Sequence, residues 1–104
     1  MPHHNRRKAE RIPVVLEARW EGSTTPGRVT DLSMGGCFLD TIGQAKPGDT
    51  VIVKIQLPDG KVLTVSGIAS YFQIHTGFGI QFTDLSEEQW ALLAELLASQ
   101  GSSG

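Results

Sequence analysis

Residues 12–20 read IPVVLEARW, and apolar side chains occupy every second position of this stretch. The apolar positions that share this parity are Ile12, Val14, Leu16, Ala18 and Trp20. Glu17 and Arg19 fall on the opposite parity. Because alternate side chains of a strand point to opposite faces, a period of two predicts a half-buried β-strand. Pro13 favours extended geometry at the preceding residue, so we expect the strand to begin there.

The same alternation returns along the chain, and stretches rich in glycine, proline and polar residues separate its repeats. The further predicted strands cover residues 28–32, 36–39, 50–57, 61–72 and 77–82. Pro58, Asp59 and Gly60 supply turn chemistry between two of these strands, which predicts an antiparallel hairpin. Gly67 lies inside a predicted strand and is a candidate for the bulge or bend that barrel closure requires.

Near the end of the chain the apolar period changes from two to that of a helix. Ser86 is a predicted N-cap, and Gln89 three residues later is its capping-box partner. The apolar stripe of this predicted helix consists of Trp90, Leu93, Leu96 and Leu97. We interpret the stripe as a surface packed against the rest of the domain, and the alternative is a docking surface for another protein.

These patterns predict a mainly β protein, a small antiparallel β-barrel of six strands with a C-terminal α-helix. The barrel is expected over residues 12–85, the helix over 86–98 and a flexible tail over 99–104. A chain of 104 residues is long enough for one modest core, so we expect a single domain over residues 1–98. The strand pattern alone fits other small barrels equally well.

Positive charge is concentrated at the start of the chain. The formal net charge is −2, but residues 1–11 carry a local net charge of +3 and the remainder carries −5. Residues 1–11 also lack an apolar period, which predicts a flexible basic arm. Proteins that coat nucleic acid usually spread basic residues over a whole face, so this distribution favours a small polyanion over DNA or RNA.

Two short motifs flank the first predicted strand. Arg7 and Arg11 form the pattern R-x-x-x-R, and Asp31, Ser33 and Gly36 form D-x-S-x-x-G. A guanidinium offers a planar fork of donors that matches phosphate oxygens or the O6/N7 edge of guanine. Asp31 can only accept hydrogen bonds, Ser33 can donate or accept, and glycine permits close backbone approach. The pair of motifs therefore predicts a site for an anionic purine ligand.

These motifs, in this order, resemble the signature of the PilZ domain, a bacterial receptor module for cyclic di-GMP. The resemblance extends over nearly the whole chain, because residues 76–82, TGFGIQF, are similar to the last strand of that family and a short helix follows. It implies a PilZ-type barrel that binds cyclic di-GMP as a ligand and needs no cofactor. The ligand-binding residues that it implies are Arg6, Arg7, Arg11, Asp31, Ser33, Gly35 and Gly36.

The resemblance also implies individual roles for these residues. The arginines are expected at the phosphates and the guanine O6/N7 edge, and Asp31 is expected to accept from guanine N–H groups. Ser33 and the backbone of Gly35 and Gly36 would contact phosphate or a base edge. An arginine in the position of Arg6 resembles the type that binds an intercalated cyclic di-GMP dimer, and a solvated basic residue is the alternative.

The further expectation is a stand-alone cytoplasmic receptor, acting on an effector protein in processes such as motility or biofilm formation. No apolar run approaches the roughly 18 residues of a membrane span, so we expect no membrane insertion. The histidines have no companions at metal-ligand spacing, no catalytic pattern is recognisable, and we expect neither a metal nor an enzyme. Cys37 lies beside Phe38 and Leu39, which predicts a buried, inert thiol.

Two other functions remain open from the sequence. One is a protein-interaction adaptor of the same fold, acting on pilus, flagellar or secretion machinery with ligand binding secondary or absent. The other is a nucleic-acid binder that uses the basic arm, which would bind with a steep salt dependence.

Overall fold

The computed structural model describes residues 11–73 and 76–101. Arg11 is the one part of the predicted arm within these ranges, and the rest of the arm and the last three residues lie outside them. The elements are β1 (Ile12–Trp20), β2 (Gly27–Leu32), β3 (Gly36–Asp40), β4 (Thr50–Gln56), β5 (Val62–Gln73), β6 (Gly77–Thr83) and α1 (Glu87–Gly101).

The six strands form a closed antiparallel barrel in the order β1-β2-β3-β6-β5-β4. Each of the six pairings is antiparallel, including the β1–β4 and β3–β6 pairs that close the barrel. The predicted fold class is therefore confirmed. Strand ends differ from the prediction by at most one residue, and the helix continues three residues past its predicted end, to Gly101.

The core lies inside the barrel and follows the alternation predicted for β1. Val14, Leu16, Ala18 and Trp20 are buried there, and the intervening residues are exposed. The indole of Trp20 meets the ring of Phe78 edge to face, with ring centroids 5.3 Å apart, which is a favoured geometry for aromatic pairs. Strands β2 to β6 contribute their inward-facing residues to the same cluster.

We expected Gly67 to mark a bulge or bend in β5, but the irregularity lies elsewhere in the strand. The register between β5 and β6 shifts between Ala69 and Phe72. Gly67 itself pairs regularly with Phe82. A Cβ at Gly67 would lie 2.5 Å from Cγ2 of Ile80 and 2.6 Å from the carbonyl oxygen of Gln81. Glycine is therefore required at this position for close approach of β6 and not for a bend.

The C-terminal helix begins with the predicted capping box. The backbone N–H of Gln89 donates to Oγ of Ser86 at 3.0 Å, and the N–H of Ser86 donates to Oε1 of Gln89 at 2.7 Å. Leu93 and Leu96 are buried against the barrel and Leu97 is half-buried, but Trp90 is 55% exposed. The apolar stripe therefore packs through its leucines, and the indole of Trp90 faces outward.

No helix within the described ranges is both long enough and apolar enough to cross a membrane.

Candidate ligand-binding site

Strand pairing brings the last arginine of the first motif to the first residue of the second. Arg11 directly precedes β1, and Asp31 lies one residue before the end of β2. Because Pro13 pairs with Asp31 and Ile12 with Leu32, the start of β1 lies beside the end of β2. Nη1 of Arg11 donates to Oδ1 of Asp31 at 2.5 Å. Their side chains are 41% and 32% exposed, so a solute can reach both groups.

Ser33 organises the turn between β2 and β3. Its Oγ accepts the backbone N–H groups of Gly35 and Gly36, both at 3.1 Å, and its own N–H donates to the carbonyl of Gly36 at 2.9 Å. The residue is only 3% exposed. A side-chain oxygen that accepts such local N–H groups stabilises a tight turn. In this structure the Ser33 hydroxyl is committed to shaping the loop, and its contact with a ligand remains a prediction.

The two motif glycines differ in their surroundings. A Cβ at Gly36 would clash with the carbonyl oxygen of Ile80 across the β3–β6 pair, whereas a Cβ at Gly35 would meet only Oγ of Ser33, at 3.9 Å. The carbonyl of Gly35 accepts the N–H of Phe82 at 2.8 Å, which holds the turn against β6. Gly36 therefore serves the packing of two strands, and Gly35 leaves open space above the turn.

Two aromatic residues that the sequence did not single out lie beside the ion pair. Phe38 pairs with Asp31 across β2 and β3, and its ring stacks on that of Tyr71 with centroids 5.9 Å apart and planes inclined at 29°. The guanidinium carbon of Arg11 lies 5.9 Å from the centroid of the Tyr71 ring, within the range of a cation–π contact. The sequence held one signal for Phe38. It lies between Cys37 and Leu39, which both face the core, so the alternation of a strand places Phe38 on the outward face.

Cys37 lies beneath this surface, inside the barrel. Burial, and to a smaller extent the Asp31 carboxylate, raises the pKa of its thiol to about 12, although the Arg11 guanidinium acts in the opposite direction. The prediction that Cys37 is buried is confirmed. A thiol with such a pKa stays protonated at neutral pH, which favours an inert residue.

The groove among the described residues lies away from the motifs. Arg6 and Arg7 lie outside the described residues. A groove of about 690 Å³, bordered by Arg19, Arg28 and Lys54, includes none of the motif residues. No group of three or more potential metal ligands occurs among the residues that the structure describes. Within the described part of the chain, the accessible motif residues are Arg11, Asp31 and Gly35, and they lie on the outside of the barrel and not in a deep pocket.

Comparisons with known proteins agree with this architecture. The family model for the PilZ domain matches residues 5–99. The PilZ domain of CeSA from a cellulose-synthesizing bacterium superposes with a TM-score of 0.66 at 25% identity, over 88% of this chain and 97% of that one. The Bacillus subtilis inhibitor of motility MotI/DgrA superposes with a TM-score of 0.74 at 15% identity. That alignment covers 90% of this chain, which spans only half the length of MotI/DgrA.

No match was found among curated protein sequences. The family model nevertheless spans nearly the whole chain, and the barrel, the C-terminal helix and the CeSA domain agree with it. This chain therefore belongs to the PilZ domain family, a family of cyclic di-GMP receptors.

Proposed function

We propose that this domain binds cyclic di-GMP through its two motifs and signals to a protein partner by ordering its N-terminal arm. Arg7 and Arg11 would bind the phosphates and the guanine O6/N7 edges, and Asp31 would accept from guanine N–H groups. Ser33, Gly35 and Gly36 would hold the loop in the shape that receives the ligand.

The observation that supports this proposal most strongly is the contact between Arg11 and Asp31. These residues are 20 positions apart in the chain and belong to different motifs, yet their side chains form an ion pair. One group carries planar donors for phosphate and the other carries acceptors for a guanine edge. A single compact ligand that has both phosphate and guanine can engage both groups at the same place.

The arm supplies the change that a partner would detect. Cyclic di-GMP carries two negative charges, and residues 1–11 carry a net charge of +3 whereas the rest of the chain carries −5. Fixing a segment costs roughly 1–2 kcal/mol per residue in conformational entropy, which charge-assisted hydrogen bonds to the ligand would offset. Binding would then convert a loose arm into a fixed surface, which is a known type of switch.

A calorimetric titration tests the proposal. We expect cyclic di-GMP to bind, with GMP and cyclic di-AMP as controls that bind much more weakly, because GMP lacks both phosphodiesters and cyclic di-AMP lacks the guanine edge. Equal heats for all three ligands, or no heat with cyclic di-GMP, would count against a cyclic di-GMP receptor. A titration with single-stranded DNA at two salt concentrations tests the nucleic-acid alternative.

The stoichiometry of the same titration tests the role of Arg6. Two equivalents per chain support an intercalated dimer of cyclic di-GMP, for which a third guanidinium suits the doubled charge. One equivalent supports a single bound molecule. We expect the Arg6→Ala variant to reduce the ratio from two to one if the dimer binds.

The adaptor alternative has one structural feature in its favour, the exposed indole of Trp90 on the outer side of α1. Aromatic residues that stand out from a surface are enriched at protein interfaces. A partner complex that forms equally well with and without cyclic di-GMP, and that the Trp90→Ala variant abolishes, would support the adaptor.

A further inference from the structure

Tyr71 belongs to neither motif, although its aromatic ring lies beside the motif residue Arg11. It is 45% exposed on the outside of the barrel, immediately before the resumption of regular pairing at Phe72. Its ring covers Phe38, which is buried although it is not part of the core cluster inside the barrel. Tyr71 and Phe38 therefore form a separate aromatic pair on the outer surface.

Gly79 determines how the Tyr71 ring lies. A Cβ built on Gly79 would lie 2.7 Å from Cζ and 2.9 Å from Cδ1 of the tyrosine, and closer still to Cε1 between them. Such similar distances to three consecutive ring atoms mean that the Cβ would point at the face of the ring and not at its rim. One face of the Tyr71 ring therefore packs on the backbone of β6 at Gly79. A side chain at this position would clash with the ring and displace it.

The Tyr71 ring also lies close to a motif residue, Arg11. The guanidinium of Arg11 lies 5.9 Å from the ring centroid and is simultaneously bonded to Asp31. A flat aromatic surface, a guanidinium and a carboxylate acceptor thus lie side by side. This combination suits a purine, because the base can stack on a ring while its edge forms hydrogen bonds to charged groups.

We propose that Tyr71 is a further ligand-binding residue, which stacks on one guanine of cyclic di-GMP while Asp31 accepts from the N1–H and N2–H₂ groups of that base. Gly79 is a positioning residue, because it lets the ring lie flat against β6. The guanidinium of Arg11 leaves the ring when the base arrives and turns to phosphate. This inference rests on the proposed function.

A purely structural role for Tyr71 makes a different prediction. If the ring only shields Phe38 from water, then its removal lowers the free energy of unfolding and leaves ligand affinity unchanged. If the ring stacks on guanine, then affinity falls in proportion to the lost stacking whether or not stability changes. Affinity measured on folded protein therefore separates the two roles.

The test is a double-mutant cycle of Tyr71→Ala and Gly79→Ala, titrated with cyclic di-GMP. Loss of one stacked base weakens binding by roughly 10-fold or more, so we expect that reduction for Tyr71→Ala. We expect Gly79→Ala to weaken binding as well, because its methyl group displaces the ring. In the Tyr71→Ala background the same methyl group meets no ring, and it should cause no further loss.

Two control variants accompany the cycle. Tyr71→Phe keeps the ring face and should bind like the original protein. Trp90→Ala removes an exposed aromatic ring from α1, 19 residues further along the chain, and should also leave affinity unchanged. Thermal unfolding of each variant confirms that the measured protein is folded.

A second readout does not depend on substitution. The chain contains a single tyrosine, so isotope-labelled tyrosine reports on Tyr71 alone. We expect its ring protons to shift upfield when cyclic di-GMP is added, because a stacked base imposes a ring current. If cyclic di-GMP binds but these signals stay in place, or if Tyr71→Ala binds as tightly as the original protein, the inference is overturned and the proposed function stands. If the original protein does not bind cyclic di-GMP, both are overturned.

Discussion

Nη1 of Arg11 lies 2.5 Å from Oδ1 of Asp31, so in the absence of ligand each group already satisfies the other. A ligand that uses both residues must exchange this ion pair for its own contacts. The exchange costs little, because a partly exposed pair of this kind contributes about 0–1 kcal/mol. The pair therefore keeps the two candidate binding groups in position without holding them strongly.

Asp31→Ala is expected to reduce affinity for cyclic di-GMP by about 10-fold or more, since it removes hydrogen bonds from a charged acceptor. The free energy of unfolding should change by no more than about 1 kcal/mol. Calorimetric titration and urea unfolding measure the two quantities. Asp59→Ala is the matched control, because it breaks the exposed Lys61–Asp59 pair (Nζ–Oδ2 3.9 Å) in a turn outside the motifs. Equal affinities for both variants would contradict the assignment of Asp31.

Ser33→Ala is expected to lower the free energy of unfolding by about 1–2 kcal/mol, because the buried N–H of Gly36 and the partly buried N–H of Gly35 lose their acceptor. Ser23→Ala is the comparison, since Oγ of Ser23 accepts only the N–H of Thr25 in a half-buried turn. Its effect should be smaller, below about 1 kcal/mol. Urea unfolding of both variants provides the measurement. A loss at Ser33 no larger than the loss at Ser23 would contradict this prediction.

Gly36→Ala and Gly35→Ala should differ sharply although the residues are adjacent. The new methyl group at residue 36 collides with the carbonyl oxygen of Ile80, and we expect a loss of about 2 kcal/mol or more. The methyl group at residue 35 meets only Oγ of Ser33 at 3.9 Å, and the change should stay within about 0.5 kcal/mol. Thermal or urea unfolding distinguishes the two variants. Similar stabilities would contradict the close approach of β3 and β6.

The buried thiol of Cys37 predicts a loss of stability at alkaline pH. The pKa of this thiol is about 12 in the folded protein, whereas an ordinary thiol, as in the unfolded chain, has a pKa of 9.0. Below pH 9 the thiol is protonated in both the folded and the unfolded state, so it adds no pH dependence to the free energy of unfolding. As the pH rises from 9 towards 12, the unfolded state releases the proton and the folded state retains it. The free energy of unfolding should then fall by roughly 1 kcal/mol per pH unit.

Cys37→Ala separates this effect from the titration of tyrosine and lysine, which both proteins share. The stability of the variant relative to the original protein should increase with pH above 9 and stay constant below it. Urea unfolding in the presence of a reductant, repeated over that pH range, gives the comparison. Parallel curves throughout would mean that the thiol ionises in the folded state as readily as in the unfolded one.

The fold was predictable because the alternation of apolar residues is a local property of each strand. In β1 the parity of Val14, Leu16 and Trp20 alone identified the inward face, and the structure has the same face buried. The helix start was equally local, since the capping box of Ser86 and Gln89 depends on residues three apart. Such features need no knowledge of what packs against them.

The features that the sequence did not reveal depend on contacts between distant strands. The position of the β5 bulge follows from the register with β6, and the requirement for glycine at residue 67 follows from the approach of Ile80. Trp90 belongs to the apolar stripe by spacing, but the docking angle of the helix leaves it exposed. The sequence did not single out Tyr71 for the same reason, because the position of its ring depends on Gly79 in the neighbouring strand β6.

For the candidate site, the motifs predicted a set of residues but not which of their side chains are accessible to a ligand. Both Asp31 and Ser33 looked like ligand contacts in the sequence, yet in the structure Asp31 is partly exposed and Ser33 is buried within its own turn. Accessibility of a side chain is decided by the loop geometry, and a six-residue motif does not encode it.

The two tryptophans differ in exposure, so intrinsic tryptophan fluorescence can report separately on two parts of the protein. Trp20 lies in the barrel interior at 8% exposure and Trp90 stands on the helix at 55%. The chain contains only these two indoles, so Trp90→Phe leaves an emission spectrum that reports on the barrel core alone. Trp20→Phe would leave the helix surface as the sole emitter, accessible to iodide quenching. Core melting and surface contact can thus be followed separately by fluorescence, without attaching a dye.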